Sequence, residues 1–188
     1  MRCRVNGNYE SDRISLRGFR PTDYRDMYEY LSLEIVAKYE PYNVQSLEDC
    51  KKEAKERSGN PSYLAIEHKL TGKVIGNIYF NQKQPYRLKT WELGYVLNPN
   101  YWGAGYATEA VNLIFDYAFN NMRVHRIVAS CNPENTRSWK LMERVGMRRE
   151  SHAIKDVFFK YNPYGAPDWQ DSYTYAILID EYTKTREQ

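Results

Sequence analysis

Gly103 and Gly105 are the residues of this chain whose type and spacing speak first to chemistry, because they stand just before a helical pattern that opens at Tyr106. The first backbone N–H groups of a helix have no intrahelical partners and sit at the positive end of its dipole. Two residues without side chains let an anion approach those donors. The stretch Trp102, Gly103, Ala104, Gly105, Tyr106, Ala107, Thr108 is therefore a candidate phosphate or pyrophosphate site made mostly of main chain. The alternative reading is a glycine-rich turn that only starts a helix. Two familiar phosphate fingerprints are absent. A P-loop needs Lys and Ser/Thr after its last glycine, and here Tyr106 follows Gly105. A dinucleotide fingerprint needs Gly or Ala where Thr108 stands, and an acid near the position of Arg123.

A second group of residues bears on proton transfer. A positioned base contributes about 10² to 10⁴ in rate. Glu92 is the candidate base, lying within a strand pattern on the face opposite Trp91 and Leu93; its alternative role is a structural or substrate-orienting carboxylate. Cys131 offers an acyl-cysteine route, against which stands a small buried residue at a strand end. His68, His125 and His152 share no ligand spacing, and Cys3, Cys50 and Cys131 form no C-x-x-C pair, so no metal and no disulfide framework is expected.

The elements that must hold these residues follow from periodicity. Trp91, Leu93, Tyr95 and Leu97 alternate with Glu92, Gly94 and Val96, the period of a strand. Asn98-Pro99-Asn100 breaks it. Ala107, Ala110, Val111, Ile114, Phe115, Ala118 and Phe119 then form one apolar helical stripe. His125–Cys131 is the next strand, and a strand-helix-strand crossover makes it a parallel neighbour. Asn132 with Pro133 reads as the start of a further helix, with Ser138, Leu141, Met142 and Val145 buried and Gly146 closing it.

Upstream, Arg13–Phe19 reads as a strand, Tyr24–Ser32 and Ser46–Arg57 as helices, and residues 62–68 and 73–80 as a hairpin turning at Thr71-Gly72. Downstream, residues 150–182 supply two more strands around Pro163–Pro167. Parallel strands that splay, each feeding its own helix, leave a cleft at their ends where a ligand arm can borrow strand hydrogen-bonding groups.

Composition sets the frame. The 188 residues suit one domain, residues 1–188, with a core over about 13–182. Hydrophobic residues at 42% and charged residues at 27% are ordinary for a globular chain, and 18 Tyr suggest walls with polar tips. A net charge of +3 is too slight to argue for nucleic acid and suits an anionic cofactor equally. No apolar run approaches a membrane span and Met1–Arg13 has no signal-like core, so no membrane contact and a cytoplasmic location are expected.

Asn100-Tyr101-Trp102-Gly103-Ala104-Gly105 resembles the Gln/Arg-x-x-Gly-x-Gly/Ala signature of the GCN5-related N-acetyltransferase (GNAT) superfamily, with Asn100 in place of the usual Gln/Arg. The longer string WELGYVLNPNYWGAGYATEA is similar to the subgroup that acetylates ribosomal-protein N-termini (RimJ/RimL-like). The resemblance extends from about Arg13 to Tyr182. It implies an α/β (α+β) single-domain GNAT fold, with a mixed central sheet of about 6–7 strands, about 4 flanking helices and splayed central parallel strands. It implies acetyl-CoA as cosubstrate, its pyrophosphate on the loop amides and its pantetheine along Tyr95, Val96 and Leu97.

By the same resemblance Asn135 and Ser138 face the pantetheine and its sulfur, while read from the residues alone they are a cap and a small packing residue. Glu92 matches a base position of histone-type members. Many relatives carry a Tyr acid where Met142 stands, so Ser138 is the implied donor to the leaving thiolate. Lys155, Tyr161, Tyr164 and Trp169 either line the acceptor pocket or form an aromatic hairpin over the core. The implied function is direct transfer of acetyl to a primary amine, with a protein N-terminal α-amine favoured over a small amine such as an antibiotic or polyamine. A silent CoA-binding module, hinted at by Met142, and a nucleotide-binding domain are the other readings. The oligomer is a monomer or a homodimer.

Overall fold

The computed structural model describes residues 9–186; Cys3 and residues 1–8 of the stretch read for a signal lie outside the described residues. In chain order the elements are β1 (Tyr9–Glu10), β2 (Ile14–Gly18), α1 (Tyr24–Leu31), α2 (Glu34–Ala37), α3 (Leu47–Ser58), β3 (Tyr63–His68), β4 (Val74–Gln82) and β5 (Thr90–Leu97). They continue with α4 (Tyr106–Asn120), β6 (Arg126–Cys131), α5 (Thr136–Arg144), β7 (Arg148–Val157), β8 (Gln170–Leu178) and α6 (Ile179–Arg186). The strand and helix totals exceed the six to seven and four expected because β1 has two residues, α2 is a single turn, and α6 follows the last strand directly. β1 and α2 are too short to carry a periodic signal.

Local chemistry explains where elements begin and stop. Ser46 caps α3, its hydroxyl accepting from Asp49 N at 3.2 Å while the Asp49 carboxylate accepts from Ser46 N at 3.0 Å. The reciprocal partner is therefore Asp49, three residues beyond Ser46, as a capping box requires. The cap of α5 is the second of the two candidates. Asn135 rather than Asn132 holds that position, accepting from Ser138 N at 3.3 Å, while Asn132 folds a turn by accepting from Glu134 N at 2.8 Å. Pro133 consequently lies in that turn and not in the helix. Gly146 ends α5 at φ 87°, the left-handed conformation its position called for, and Met147 N donates to Met142 O at 2.9 Å.

The sheet order is β1-β2-β3-β4-β5-β6-β8-β7, and every pairing is antiparallel except β5 with β6. Those two parallel strands touch over only three pairs, Thr90 with Arg126, Trp91 with Ile127 and Glu92 with Val128. Their outer edges stay bonded much further, β5 to β4 as far as Leu97 with Gly76, and β6 to β8 as far as Cys131 with Tyr173. Beyond Glu92 and Val128 the two halves of the sheet part. The expected splay is thus present, and it leaves β5 residues Leu93 to Leu97 with one edge unpaired by a strand.

Each face of the sheet has its own core. On one, Ala110, Val111, Ile114, Phe115, Ala118 and Phe119 of α4 pack against Ile14, Leu16, Ile66, Ile78 and Ile127. On the other, Met27, Tyr30 and Leu31 of α1 and Cys50 and Ala54 of α3 pack against Phe19, Ala65 and Val74. Burying one such large side chain stabilises by about 1.5–3 kcal/mol, and α4 and α1 are fixed mainly by these faces. The backbones of β4 and β5 meet at Gly76, where a Cβ would lie 2.4 Å from Val96 O.

Candidate active site

A cleft of about 1290 Å³ opens where β5 and β6 part. Its size exceeds the roughly 300–1,000 Å³ of a usual small-molecule pocket, leaving room for a long ligand and a second one beside it. Its floor is β5 from Leu93 to Leu97, one wall is the start of α4, the other is α5, and α2 with the segment after it and the β7–β8 hairpin close the far end.

At the α4 end, Gly103 and Gly105 adopt φ 75° and 85°, conformations that side chains rarely take, and nothing stands within 4 Å of where a Gly103 Cβ would be. Glu109 is the first residue of α4 whose N–H is bonded back, to Gly105 O at 3.0 Å, so the amides before it face outward as helix-start donors. Arg13 braces this loop from outside. Its Nη1 donates to Ala104 O at 3.0 Å, its Nε donates to Glu109 at 2.8 Å, and its guanidinium lies 4.5 Å from the Tyr106 ring centre. Trp102 closes the corner, its indole N–H donating to Leu97 O at 2.8 Å. Arg137 stacks 4.5 Å from the Trp102 ring centre.

Where the strands part, Tyr95 reaches across from β5 to α5. Its hydroxyl lies 3.0 Å from both the Ser138 carbonyl oxygen and the Ser138 hydroxyl, donating to the first. Burial pushes the Tyr95 phenol well above its usual range, the Ser138 hydrogen bond opposing it, so the group is protonated near neutrality. Cys131, at the end of β6 beside Ser138, is pushed up to about 11 by burial. Its thiolate, the nucleophilic form, is scarce at neutral pH, which disfavours an acyl-cysteine route.

Of the residues expected to hold a cofactor, Tyr95, Val96, Leu97, Trp102, Gly103, Gly105, Tyr106, Ala107, Thr108, Asn135 and Ser138 all line the cleft. Ala104 does not, because its carbonyl turns to Arg13. Glu92 does not line it either. It sits at the last β5–β6 pair, with Lys83 Nζ 3.3 Å from its carboxylate. Lys155, Tyr161, Tyr164 and Trp169 also lie outside the lining, three of them in the hairpin's outer aromatic cluster or beyond it, where Phe158 packs on Tyr161 and Trp169 and Tyr164 is almost fully exposed. The hairpin instead lines the cleft with Asp156, Val157, Phe159, Gln170, Asp171 and Ser172.

Several lining residues had no mark in the sequence reading. Arg137, Lys140 and Arg144 project from α5 along the α4 side, Arg144 donating to Thr108 Oγ1 at 3.4 Å. Their i, i+3, i+7 spacing was the available signal, a basic stripe beside the apolar one. Glu40, after α2, lines the far end, and burial raises its carboxyl to about 7 against the pull of Arg57. No local pattern marks Glu40, since only the packing of α2 places it. Among the described residues no group of His, Cys, Asp and Glu is arranged to hold a metal ion, and no helix is long and apolar enough to cross a membrane.

Comparison with known proteins bears on this geometry. The family model for an acetyltransferase (GNAT) domain matches residues 13–148. The uncharacterized N-acetyltransferase YnaD of Bacillus subtilis (strain 168) is 38% identical over 175 residues, covering 90% of this chain and 96% of that one. The crystal structure of a GNAT-family acetyltransferase from Bacillus anthracis superposes with a TM-score of 0.82 at 35% identity, over 91% of this chain and 98% of that one. More distant relatives have named acceptors. The ribosomal protein uS5-alanine N-acetyltransferase of Escherichia coli (strain K12) is 25% identical over 69% of this chain and 64% of that one. The spermidine N(1)-acetyltransferase of Vibrio cholerae is 27% identical over 51% of this chain and 52% of that one.

Proposed function

The chain belongs to the acetyltransferase (GNAT) family and is an acetyltransferase, and from that premise we propose that it moves acetyl from acetyl-CoA directly to a primary amine, with a protein N-terminal α-amine as the favoured acceptor. The parted β5 and β6, opening beside the glycine loop, are the observation that carries this reading. The pyrophosphate sits on the amides from Gly103 to Thr108, Arg137, Lys140 and Arg144 offer charge to the remaining phosphate, and pantetheine runs along Tyr95 and Val96 toward Ser138. Leu97 contributes its side chain rather than its carbonyl, which Trp102 occupies.

An unpaired N–H on the β5 edge faces the thioester oxygen and stabilises the charge that develops there. As the carbon–sulfur bond breaks, the Ser138 hydroxyl donates to the sulfur, and Tyr95 holds that hydroxyl in place. Support for the α-amine acceptor is the likeness of the string from Trp91 to Ala110 to the ribosomal-protein subgroup, together with the uS5-alanine relative. A polyamine is the second reading, favoured by Glu40, Asp156 and Asp171 at the acceptor end and by the spermidine relative.

Thiol release from acetyl-CoA separates the two when peptides bearing different N-termini are compared with spermidine and spermine. Faster release with a peptide bearing a free N-terminus, lost when that terminus is formylated, is the expected result. Turnover confined to the polyamines overturns the first reading in favour of the second.

A further inference from the structure

Four carboxylates line the cleft, and three of them are committed to protein partners. Glu109 accepts from Arg13 and Ser11 at the phosphate end. Asp156 accepts from Ser172 Oγ at 2.9 Å. Asp171 pairs with His152 at 3.0 Å and accepts from Lys155 N at 2.9 Å. The fourth, Glu40, has no hydrogen bond or ion pair to its carboxylate among the described residues, although its side chain is partly buried. An unpaired carboxylate withdrawn from water is costly to the fold, and such groups are found where a ligand completes them.

Its setting is defined by three elements. Arg57 on α3 lies behind it, buried, with one guanidinium nitrogen making no hydrogen bond. Tyr42, on Glu40's own segment, also has a buried hydroxyl without a partner. Tyr95 on β5, the residue that touches Ser138, feels the Glu40 charge from the floor of the cleft. Nearby Lys38 points away, 3.9 Å from Glu134. The segment is pinned over the cleft by Lys160 of the β7–β8 connection, whose Nζ donates to Ala37 O at 2.9 Å.

We propose that Glu40, rather than Glu92, receives the acceptor ammonium and takes its first proton. This rests on the acetyltransferase reading above. Glu40 carboxylate removes one proton from R–NH3+, and the freed lone pair forms the nitrogen–carbon bond at the thioester carbonyl. Collapse of the tetrahedral adduct breaks the carbon–sulfur bond. The Ser138 hydroxyl gives its proton to the departing sulfur and is reprotonated by the nitrogen's second surplus proton, giving the amide and CoA thiol, and Glu40 returns its proton to solvent. The location is the reason for preferring Glu40 to Glu92, which is outside the lining and bound to Lys83.

The same residue discriminates between acceptors. Burial raises the Glu40 carboxyl to about 7, so transfer from an α-ammonium is uphill by about tenfold, and from an alkyl ammonium by more than about a thousandfold. A base so tuned suits the N-terminal amine.

The test compares wild type, Glu40→Gln, Glu40→Asp and Glu92→Gln by thiol release across pH 5.5–9, with acetyl-CoA affinity measured alongside. The expected result is an acidic limb in wild-type kcat/KM set by Glu40 near pH 7, which in Glu40→Gln gives way to a limb at the amine's own pKa of about 7.7–8.0, with a loss of about 10² to 10⁴-fold at pH 8. Glu40→Asp retains the limb with lower rate, Glu92→Gln retains it nearly unchanged, and acetyl-CoA affinity stays within about twofold in all four. A Glu40→Gln enzyme that keeps the limb and works within about threefold of wild type overturns the assignment while leaving the transferase reading intact. A wild-type protein that binds acetyl-CoA but releases no thiol with any peptide or polyamine overturns both.

Discussion

At the scale of single residues, chemistry here depends on which groups the fold leaves without partners. Ser138 is half engaged, its hydroxyl next to Tyr95 and Cys131, and its proposed role as donor to sulfur gives a sharp expectation. A hydrogen bond to a charged group is worth about 1.5–3 kcal/mol, so Ser138→Ala lowers kcat by about ten- to a hundredfold while the acetyl-CoA KM changes little, as steady-state kinetics will show. Glu40 makes a prediction about stability that is independent of turnover. Its carboxyl moves from the usual 4.5 up to about 7 on folding because burial disfavours the charge. Such a group contributes its stability fully below pH 4.5 and loses it as pH rises through 7. Glu40→Gln, neutral at every pH, should therefore match wild type near pH 4.5 and exceed it by pH 8. The gain is on the order of 1–3 kcal/mol after allowing for partial exposure, and melting curves at both pH values measure it. Residue type alone pointed to Gly103 and Gly105 in the sequence, and the family resemblance to Ser138, but neither pointed to Glu40, whose meaning comes from what surrounds it.

At the scale of elements, the parts written in local patterns were the parts that could be read. The apolar stripe of α4, the alternation in β5, the turn at Gly72 and the stop at Gly146 each follow from a few neighbouring residues, and each is present. The start of α5 was misplaced because Asn132 and Asn135 are both competent caps, and the choice fell to Asn135, whose carbonyl oxygen reaches Ser138 N. For the acceptor-side residues the second of the two readings, an aromatic hairpin, fits the packing better. The β7–β8 connection turns its aromatic side chains onto one another, Phe158 against Trp169 and Tyr161, rather than inward. One element contact is open to direct test. A methyl group at Gly76 would meet the Val96 carbonyl oxygen of the next strand at 2.4 Å, which backbone cannot relieve without parting β4 from β5. Overpacking of this kind costs about 1–3 kcal/mol, so Gly76→Ala should lower the melting temperature by several degrees. It should also weaken acetyl-CoA binding, since the displaced strand is the cleft floor.

At the scale of the whole molecule, a sheet that is continuous on its outer edges and parted at its centre makes a two-ended cleft. Charge is divided unevenly along it: Arg137, Lys140 and Arg144 stand toward the α4 end, where Arg13 is paired with Glu109, and Glu40, Asp156 and Asp171 stand toward the other, where Lys38 also lines the cleft. A net charge of +3 hides this division, so composition could not reveal the polarity. An anionic cofactor entering from one end and a cationic acceptor from the other is the arrangement the division suits. The measurement that tests this most directly is isothermal calorimetry of acetyl-CoA against wild type and Gly105→Val, since Gly105 at φ 85° cannot be replaced by a branched residue without disturbing the loop amides. The account predicts one site per chain in wild type and binding at least about tenfold weaker in a Gly105→Val protein with an unchanged far-ultraviolet spectrum. Equal affinity in the two proteins, or no heat from either, would contradict it.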